Sequence, residues 1–213
     1  MRAAGLFFLA FVSFAAPALR SAAETAAGPG QAAAAARAEA AQQSRADDPE
    51  RWAEAQMRLG DALLTLGAQQ GGSNDLADAI AAYRAALEVA TQARAPAQWA
   101  RIQYNLGNAL ETLGEREPDA QRLAEAVAAY RAALEERTRE RGPAQWAQAT
   151  GNQGIALMLI GERTRDGASA QRGLEDIMAA VAALNAAGDH AAADAYFTLV
   201  PKARDLAQLL NSR

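Results

Sequence analysis

Few side chains in this sequence have the type and spacing that catalysis or metal binding requires. The chain has no cysteine and a single histidine, His190, so it lacks the set of thiolate and imidazole ligands that builds a zinc site. No Gly-x-Ser-x-Gly turn and no glycine-rich phosphate loop occurs. Charged residues cluster at 115–119 and 162–163, where we interpret them as solvated turns. We therefore expect no catalytic residue, no metal and no cofactor, and the protein is predicted not to be an enzyme.

Three tryptophans are the most regular chemical feature of the chain. Trp52, Trp99 and Trp146 are separated by intervals of 47 residues. Aromatic rings at a fixed interval could stack on sugars or bases, but leucines accompany them at helical spacing, so we interpret them as core residues. Two sets of glycines share the period: Gly60, Gly107 and Gly154, and Gly67, Gly114 and Gly161. A fixed period of about 20 to 50 residues indicates stacked supersecondary units.

This period divides the central part of the chain into three repeats, 49–95, 96–142 and 143–188. Each repeat begins at or next to a proline, whose fixed φ and missing N–H suit the first turn of a helix. We predict two antiparallel helices per repeat, the first of which ends at the second glycine of the unit. Such alanine-rich pairs bury too little apolar surface alone, so neighbouring repeats must stabilise one another.

The segment 189–213 is predicted to be a closing helix. Asp189 suits its N-cap, and Pro201 is expected to kink it. Its inward face is predicted to carry the large apolar side chains of the segment: Tyr196, Phe197, Val200, Leu206 and Leu210.

Two segments precede the repeats. Residues 1–23 combine an arginine, an uncharged apolar stretch and small residues at a suitable cleavage position, which is typical of a signal peptide. An uncleaved membrane anchor is the alternative, so we expect a periplasmic or secreted protein that contacts a membrane only if this segment is retained. Residues 24–48 are alanine-rich, and we expect a linker that is disordered or a frayed helix. The net charge of −4 argues against nucleic-acid binding.

The repeated motifs resemble those of the tetratricopeptide repeat family. Leu-Gly-x-x-Leu occurs at Leu59–Leu63 and Leu106–Leu110, and Ala-x-x-x-Tyr occurs at Ala79–Tyr83 and Ala126–Tyr130. The unit is a long variant, because it has 47 residues where the family has about 34. The resemblance implies an all-α, right-handed α-solenoid of three antiparallel helical hairpins plus a C-terminal capping helix. It also implies a non-catalytic scaffold that binds a peptide or protein segment in a concave groove.

The same resemblance implies which side chains face the groove. Within the first two repeats the candidate contacts are Asp61, Arg101, Tyr104, Asn108 and Glu111. Some family members clamp a terminal carboxylate with lysines and arginines in the groove. The lysines are missing here, so no such clamp is assigned. We interpret the asparagines of the first helices as helix-to-helix hydrogen bonds instead. The alternative function is a structural protein that forms a homo-oligomer by stacking end to end.

Overall fold

The computed structural model describes residues 28–212, and 81 % of these residues are helical. No strand occurs in this range, which confirms the all-α prediction. The predicted signal peptide, residues 1–23, and the last residue, Arg213, lie outside the described residues.

Nine helices follow one another between residues 28 and 212. They are α1 (Pro29–Gln42), α2 (Pro49–Gln70), α3 (Ser73–Leu87), α4 (Pro96–Arg116), α5 (Gln121–Glu136), α6 (Pro143–Thr164), α7 (Gly167–Ala186), α8 (His190–Phe197) and α9 (Val200–Asn211). The first helices of the three repeats are α2, α4 and α6, and the second helices are α3, α5 and α7. Each first helix packs on the second helix of its own repeat, and each second helix packs on the next first helix or on the C-terminal helices.

The first helices start as predicted but do not end at the second glycine of each repeat. Pro49 begins α2, and the carboxylate of Asp48 accepts a hydrogen bond from the Arg51 N–H at 3.0 Å. Helix α2 continues beyond Gly67 and ends before Gly71, which has the left-handed φ of 76°. Gly67 is needed for close packing instead, because a Cβ there would lie 2.8 Å from Leu76 Cγ.

The first glycine of each repeat allows the two helices of a hairpin to approach closely, as expected for Gly107. A Cβ at Gly60 would lie 2.6 Å from Tyr83, and one at Gly107 would lie 2.5 Å from Tyr130. Each tyrosine ring therefore packs directly against a glycine and is fully buried. The third hairpin has no such tyrosine, and there Gly154 faces the backbone of the second helix directly.

Arginines near the ends of the first helices connect successive repeats. Arg116 donates to the carbonyl of Gly67 at 3.1 Å, and Arg163, one period later, donates to the carbonyl of Gly114 at 2.7 Å. Arg163 also reaches the carbonyls of Glu115 and Asp119. These carbonyls lie at or just beyond the C-terminal end of the preceding first helix, where unsatisfied acceptors favour a cation.

The core consists of two apolar clusters that follow one another along the repeats. One apolar cluster extends from Ala33 of α1 to Leu157 of α6, and a second extends from Leu123 of α5 to Ala207 of α9. The three tryptophans lie at the edge of this core and are half-buried. The guanidinium groups of Arg45 and Arg139 cover two of the rings, Trp52 at 5.1 Å and Trp146 at 4.9 Å.

The segment predicted as a disordered linker or frayed helix contains α1, which packs on α2. Its Ala33 is completely buried, although the segment has almost no large apolar side chain. Helix α1 takes the place of a second helix, because its contact with α3 lies one 47-residue period before the contact between α3 and α5. Arg37 approaches Asp78 at 3.5 Å, and the equivalent pair, Arg84 and Glu125, lies at 2.6 Å. Alanines permit a close helix approach, so the helix docks through small contacts that hydropathy does not predict.

The C-terminal segment forms two helices, α8 and α9, instead of one kinked helix. Tyr196 and Val200 are buried as predicted, and Leu206 and Leu210 are partly buried. The prediction for Phe197 is wrong, because its side chain is 59 % exposed. Adjacent helical residues point about 100° apart, so Phe197 faces outward when Tyr196 faces the core. None of the helices among the described residues has the length and apolarity needed to cross a membrane.

Candidate functional site

A series of polar side chains lies between the helices and repeats with the 47-residue period. In the first repeat the Asp61 carboxylate accepts hydrogen bonds from the Tyr83 hydroxyl at 2.6 Å and from the Asn105 amide at 2.8 Å. Burial raises the pKa of Asp61, and the hydrogen bonds from Tyr83 and Asn105 and the charge of Arg101 oppose this effect. Since Asn105 belongs to α4, this contact connects the first two repeats.

The same arrangement recurs one repeat later with an amide in place of the carboxylate. The side-chain oxygen of Asn108 accepts from the Tyr130 hydroxyl at 2.8 Å and from the Asn152 amide at 3.0 Å. The Tyr196 hydroxyl of α8 donates in turn to the oxygen of Asn152 at 2.5 Å. The interpretation of the asparagines as helix-to-helix hydrogen bonds is confirmed. The series reaches the C-terminal helices because Asn152, which is equivalent to Asn105, accepts from Tyr196 of α8.

The middle repeat departs from the period at three neighbouring positions. Tyr104, Glu111 and Arg137 replace residues that are apolar or glycine in the other repeats. Tyr104 corresponds to Met57 in the first repeat and to Gly151 in the third. Glu111 corresponds to Leu64 and Met158, and Arg137 corresponds to Ala90 and Leu184. We call the group formed by Tyr104, Asn108, Glu111, Tyr130 and Arg137 the tyrosine cluster. Departures from an otherwise consistent pattern are the positions at which function is expected.

Glu111 is the buried acid of the tyrosine cluster. Its side chain is 2 % exposed, and one carboxyl oxygen lies 2.7 Å from the Tyr130 hydroxyl. Burial raises the pKa of Glu111 to about 8; the hydrogen bond with Tyr130 opposes this, and the charge of Glu115 adds to it. The Tyr130 hydroxyl has one proton for two oxygens, those of Asn108 and Glu111. A protonated Glu111 that donates to Tyr130 resolves this geometry, while Tyr130 donates to Asn108.

Arg137 follows α5 and lies over the aromatic part of the cluster. Its guanidinium carbon is 4.2 Å from the centre of the Tyr104 ring, and the Tyr104 and Tyr130 ring centres are 5.9 Å apart. Burial lowers the pKa of Arg137, and the nearby positive charge of Arg101 acts in the same direction. Arg101 is exposed, and one of its guanidinium nitrogens lies 2.8 Å from the sulfur of Met57.

The structure brings the five predicted groove residues into one region but covers most of them. Tyr104 and Glu111 are 8 % and 2 % exposed, so neither presents its side chain to an open groove. Asp61 and Asn108 are partly exposed, and their side chains are engaged between helices. Arg101 alone among the five is well exposed.

Sequence reasoning missed Arg137, which completes the site. The available signal was its departure from the period, since the other two repeats have apolar residues at this position. The contribution of Tyr196 had no such signal. It is offset from the 47-residue register and meets Asn152 because α8 folds back on the third hairpin.

A polar depression of about 300 Å³ lies between α1 and α2, lined by Glu39, Arg51, Glu54 and Arg58 among others. Exposed ion pairs from Arg58 to Glu39 and Glu54 cross it. Between residues 28 and 212, no group of three or more acidic, histidine or cysteine side chains is placed to hold a metal ion.

Comparison with known proteins gives no family assignment. No family model matches the chain, and a search of curated proteins finds no match. The resemblance to the tetratricopeptide repeat family stays a prediction based on the recurring motifs.

Proposed function

We propose that this protein is a non-catalytic interaction scaffold of the tetratricopeptide type. In this proposal the three hairpins form a right-handed α-solenoid, and a peptide or protein segment binds along the face formed by α2, α4 and α6. The signal-peptide pattern of residues 1–23 supports a location in the periplasm or outside the cell for this proposed activity. Neither nucleic acid nor a cofactor takes part.

The observation that carries the proposal is the set of partly buried hydrogen bonds between successive first helices. The amide of Asn105 reaches Asp61 at 2.8 Å, and the amide of Asn152 reaches Asn108 at 3.0 Å. Buried polar networks fix a geometry when every member is satisfied. A face whose helices are held in fixed register is preorganised, and preorganisation lowers the entropic cost of binding an extended partner.

The candidate residues take two different roles in this proposal. Arg101 is exposed and contacts the ligand directly, together with the accessible parts of Asp61 and Asn108. Tyr104 and Glu111 are buried beneath that surface and support it. Alanine at Tyr104 would therefore weaken folding as well as binding, which makes the exposed positions the better probes.

Site-specific photocrosslinking of the full chain in the cell tests this proposal. A photoreactive residue is placed at one equivalent position of each first helix, Glu54, Arg101 or Gln148. The matched controls are the exposed equivalent positions of the second helices, Ala81, Ala128 and Glu175. We expect adducts with another protein from the first-helix positions and few from the controls. Equal labelling from both sets would refute binding along the first helices.

A second candidate function, end-to-end self-assembly, is favoured by the two ends of the described chain. Among residues 28–212, helix α1 has the register of a second helix and no first helix precedes it, whereas α8 packs on α7 as the next first helix would. A second helix at one end and a first helix at the other can complete a hairpin between two copies. Sedimentation over a wide concentration range separates the candidates, because a monomer at every concentration refutes assembly.

A further inference from the structure

We propose that the proton carried by Glu111 sets the direction of a chain of hydrogen bonds from α4 to α8, and with it the group that Asn108 presents to the proposed peptide-binding face. The inference rests on the proposed scaffold function and names a regulation of its binding face. The chain consists of Glu111, Tyr130, Asn108, Asn152 and Tyr196. Its successive contacts are 2.7, 2.8, 3.0 and 2.5 Å long.

With Glu111 protonated, every contact of the chain has one donor and one acceptor. The carboxyl donates to Tyr130, whose hydroxyl donates to the side-chain oxygen of Asn108. The same oxygen accepts from the NH₂ group of Asn152, and the oxygen of Asn152 accepts from Tyr196. The NH₂ group of Asn108 takes no part in these contacts and is left for the partly exposed side of the residue.

An ionised Glu111 can only accept, so the Tyr130 hydroxyl must turn its proton toward the carboxylate. The contact between Tyr130 and Asn108 then has no donor unless the Asn108 amide rotates by half a turn and donates through its NH₂ group. The oxygen and the NH₂ group of an amide occupy nearly the same space, so this rotation requires no repacking. After it, the oxygen of Asn108 takes the outward place that the NH₂ group held.

The second asparagine of the chain and the tyrosine of α8 can follow this reversal. If Asn152 also rotates, its oxygen accepts from Asn108 and from Tyr104, whose hydroxyl lies 3.2 Å away. The NH₂ group of Asn152 then donates to Tyr196, and the Tyr196 hydroxyl donates to the backbone carbonyl of Gln148, also at 3.2 Å. The same atoms therefore support two complete hydrogen-bond arrangements that run in opposite directions.

The middle repeat combines an acid with a reversible amide, and the first repeat has neither. The first repeat has Asp61 where the middle repeat has Asn108, and the Asp61 carboxylate accepts both of its hydrogen bonds. An ionised carboxylate cannot donate, so its hydrogen bonds have one fixed direction. Glu111 is replaced by Leu64 in the first repeat, which supplies no proton. Both parts of the proposed switch are thus departures from the first repeat, where function is expected.

The surroundings of Glu111 favour its protonated form. The titratable and charged groups that act on Glu111 or on its partners come from several elements: Tyr104, Glu115 and Arg116 of α4, Tyr130 of α5, Arg137 after α5, Arg163 of α6, Tyr196 of α8 and Lys202 of α9. No cation of this set acts directly on the Glu111 carboxyl, and Glu115 and burial together raise its pKa to about 8. The reversal is therefore expected near that pH.

Nuclear magnetic resonance of the full chain, across the pH range in which Glu111 loses its proton, tests the inference. The side-chain amide signals of Asn108 and Asn152 and the ring signals of Tyr196 are followed, with the Glu111 carboxyl carbon as the reference. We expect these signals to shift with one midpoint near pH 8. Above the midpoint the NH₂ protons of Asn108 should gain nuclear Overhauser contacts with the Tyr130 ring. Titration of Glu111 without any change in the two amides would overturn the proposal.

Tyr130→Phe separates transmission along the chain from a direct effect of the Glu111 charge. The variant keeps the acid and the ring that packs on Gly107 but removes the hydroxyl between Glu111 and Asn108. We expect Glu111 still to titrate while the Asn108 and Asn152 signals lose most of their shift. Glu111→Met should abolish the shifts altogether, and unfolding curves check that both variants are folded. Amide shifts of full size in either variant would refute the chain as the route.

Glu115→Gln is the matched control on the same helix. It removes the charge that helps to raise the pKa of Glu111, so the amide shifts should persist with a lower midpoint. The titration uses no binding partner, whereas photocrosslinking from position 101 tests the scaffold function. A titration without the reversal therefore refutes the switch alone, and equal labelling from first-helix and control positions refutes the scaffold alone.

Discussion

Ionisation of Glu111 is predicted to destabilise the middle repeat. The carboxyl is buried, and its pKa is raised from 4.5 to about 8 by that burial. The folded protein therefore holds a proton that the unfolded chain releases between these two pH values. Below pH 4.5 the Glu111 carboxyl is protonated in both the folded and the unfolded state, so the stability that the neutral carboxyl allows is fully present there. It falls as the pH rises and is lost once the pH passes about 8.

The size of this effect follows from the difference between the two pKa values. Each pH unit in the window lowers the free energy of unfolding by at most about 1.4 kcal/mol. Across the window from 4.5 to about 8 the loss is roughly 5 kcal/mol at most. This is a large fraction of the 5 to 15 kcal/mol, roughly, that stabilises a typical domain.

Glu111→Gln isolates this contribution. The amide of the variant can donate to Tyr130 as the protonated carboxyl does, but it has no proton to lose. Its second N–H needs an acceptor, and that cost of about 1 to 3 kcal/mol does not depend on pH. Glu111→Met, which introduces the residue that the third repeat has at this position, removes the acid altogether and leaves Asn108 as the acceptor for Tyr130.

Urea unfolding monitored by circular dichroism between pH 5 and pH 9 measures the effect. The difference in unfolding free energy between Glu111→Gln and the wild type should move in favour of the variant by about 3 kcal/mol or more as the pH rises. Asp61 and Asp176 also have raised pKa values through burial, but they are common to both proteins and cancel in the difference. Glu115 is coupled to Glu111 through its charge, so its contribution is part of the measured effect. The exposed Glu175→Gln variant serves as the control and should parallel the wild type. Parallel curves for Glu111→Gln and the wild type would refute the assignment of a protonated Glu111.

Three further predictions concern the packing of the hairpins. Gly107→Ala should lower the unfolding free energy by about 1 to 3 kcal/mol, because the added Cβ would lie 2.5 Å from the Tyr130 ring; thermal unfolding measures this, and Gly30→Ala, with no neighbour within 4 Å, should not destabilise. Arg163→Met should cost about 1 to 3 kcal/mol in urea unfolding, since it removes hydrogen bonds to three backbone carbonyls; an unchanged midpoint would show that these bonds do not stabilise the fold. Arg165→Gly should raise the thermal midpoint, because Arg165 has a φ of 60° that glycine adopts without strain; a lower midpoint would contradict this.

The repeated architecture of the hairpins was largely predictable from sequence. A period of 47 residues recurs because equivalent positions meet equivalent neighbours, as Gly60 and Gly107 meet Tyr83 and Tyr130. Proline positions predicted where the first helices start, since proline suits a helix start for local reasons. The ends of these helices were predicted less well. A glycine that permits close packing looks the same in a sequence as one that ends a helix.

The candidate site was predictable only in part. Resemblance selected Tyr104, Asn108 and Glu111, which do lie together, but it predicted an open groove where the structure has covered side chains. Burial depends on the element that packs over a face, and the sequence of one helix does not contain that information. Arg137 could have been found by comparing the repeats, because it alone is charged at its position.

The sequence by itself determined the helix pairs and their spacing, because helical periodicity and proline act locally and recur with each unit. Tertiary structure decided the rest: the docking of the alanine-rich helix α1, the outward position of Phe197, and the contact of Tyr196 with Asn152. These features depend on close approach between segments far apart in sequence. Small side chains permit such contacts without producing any apolar pattern that would predict them.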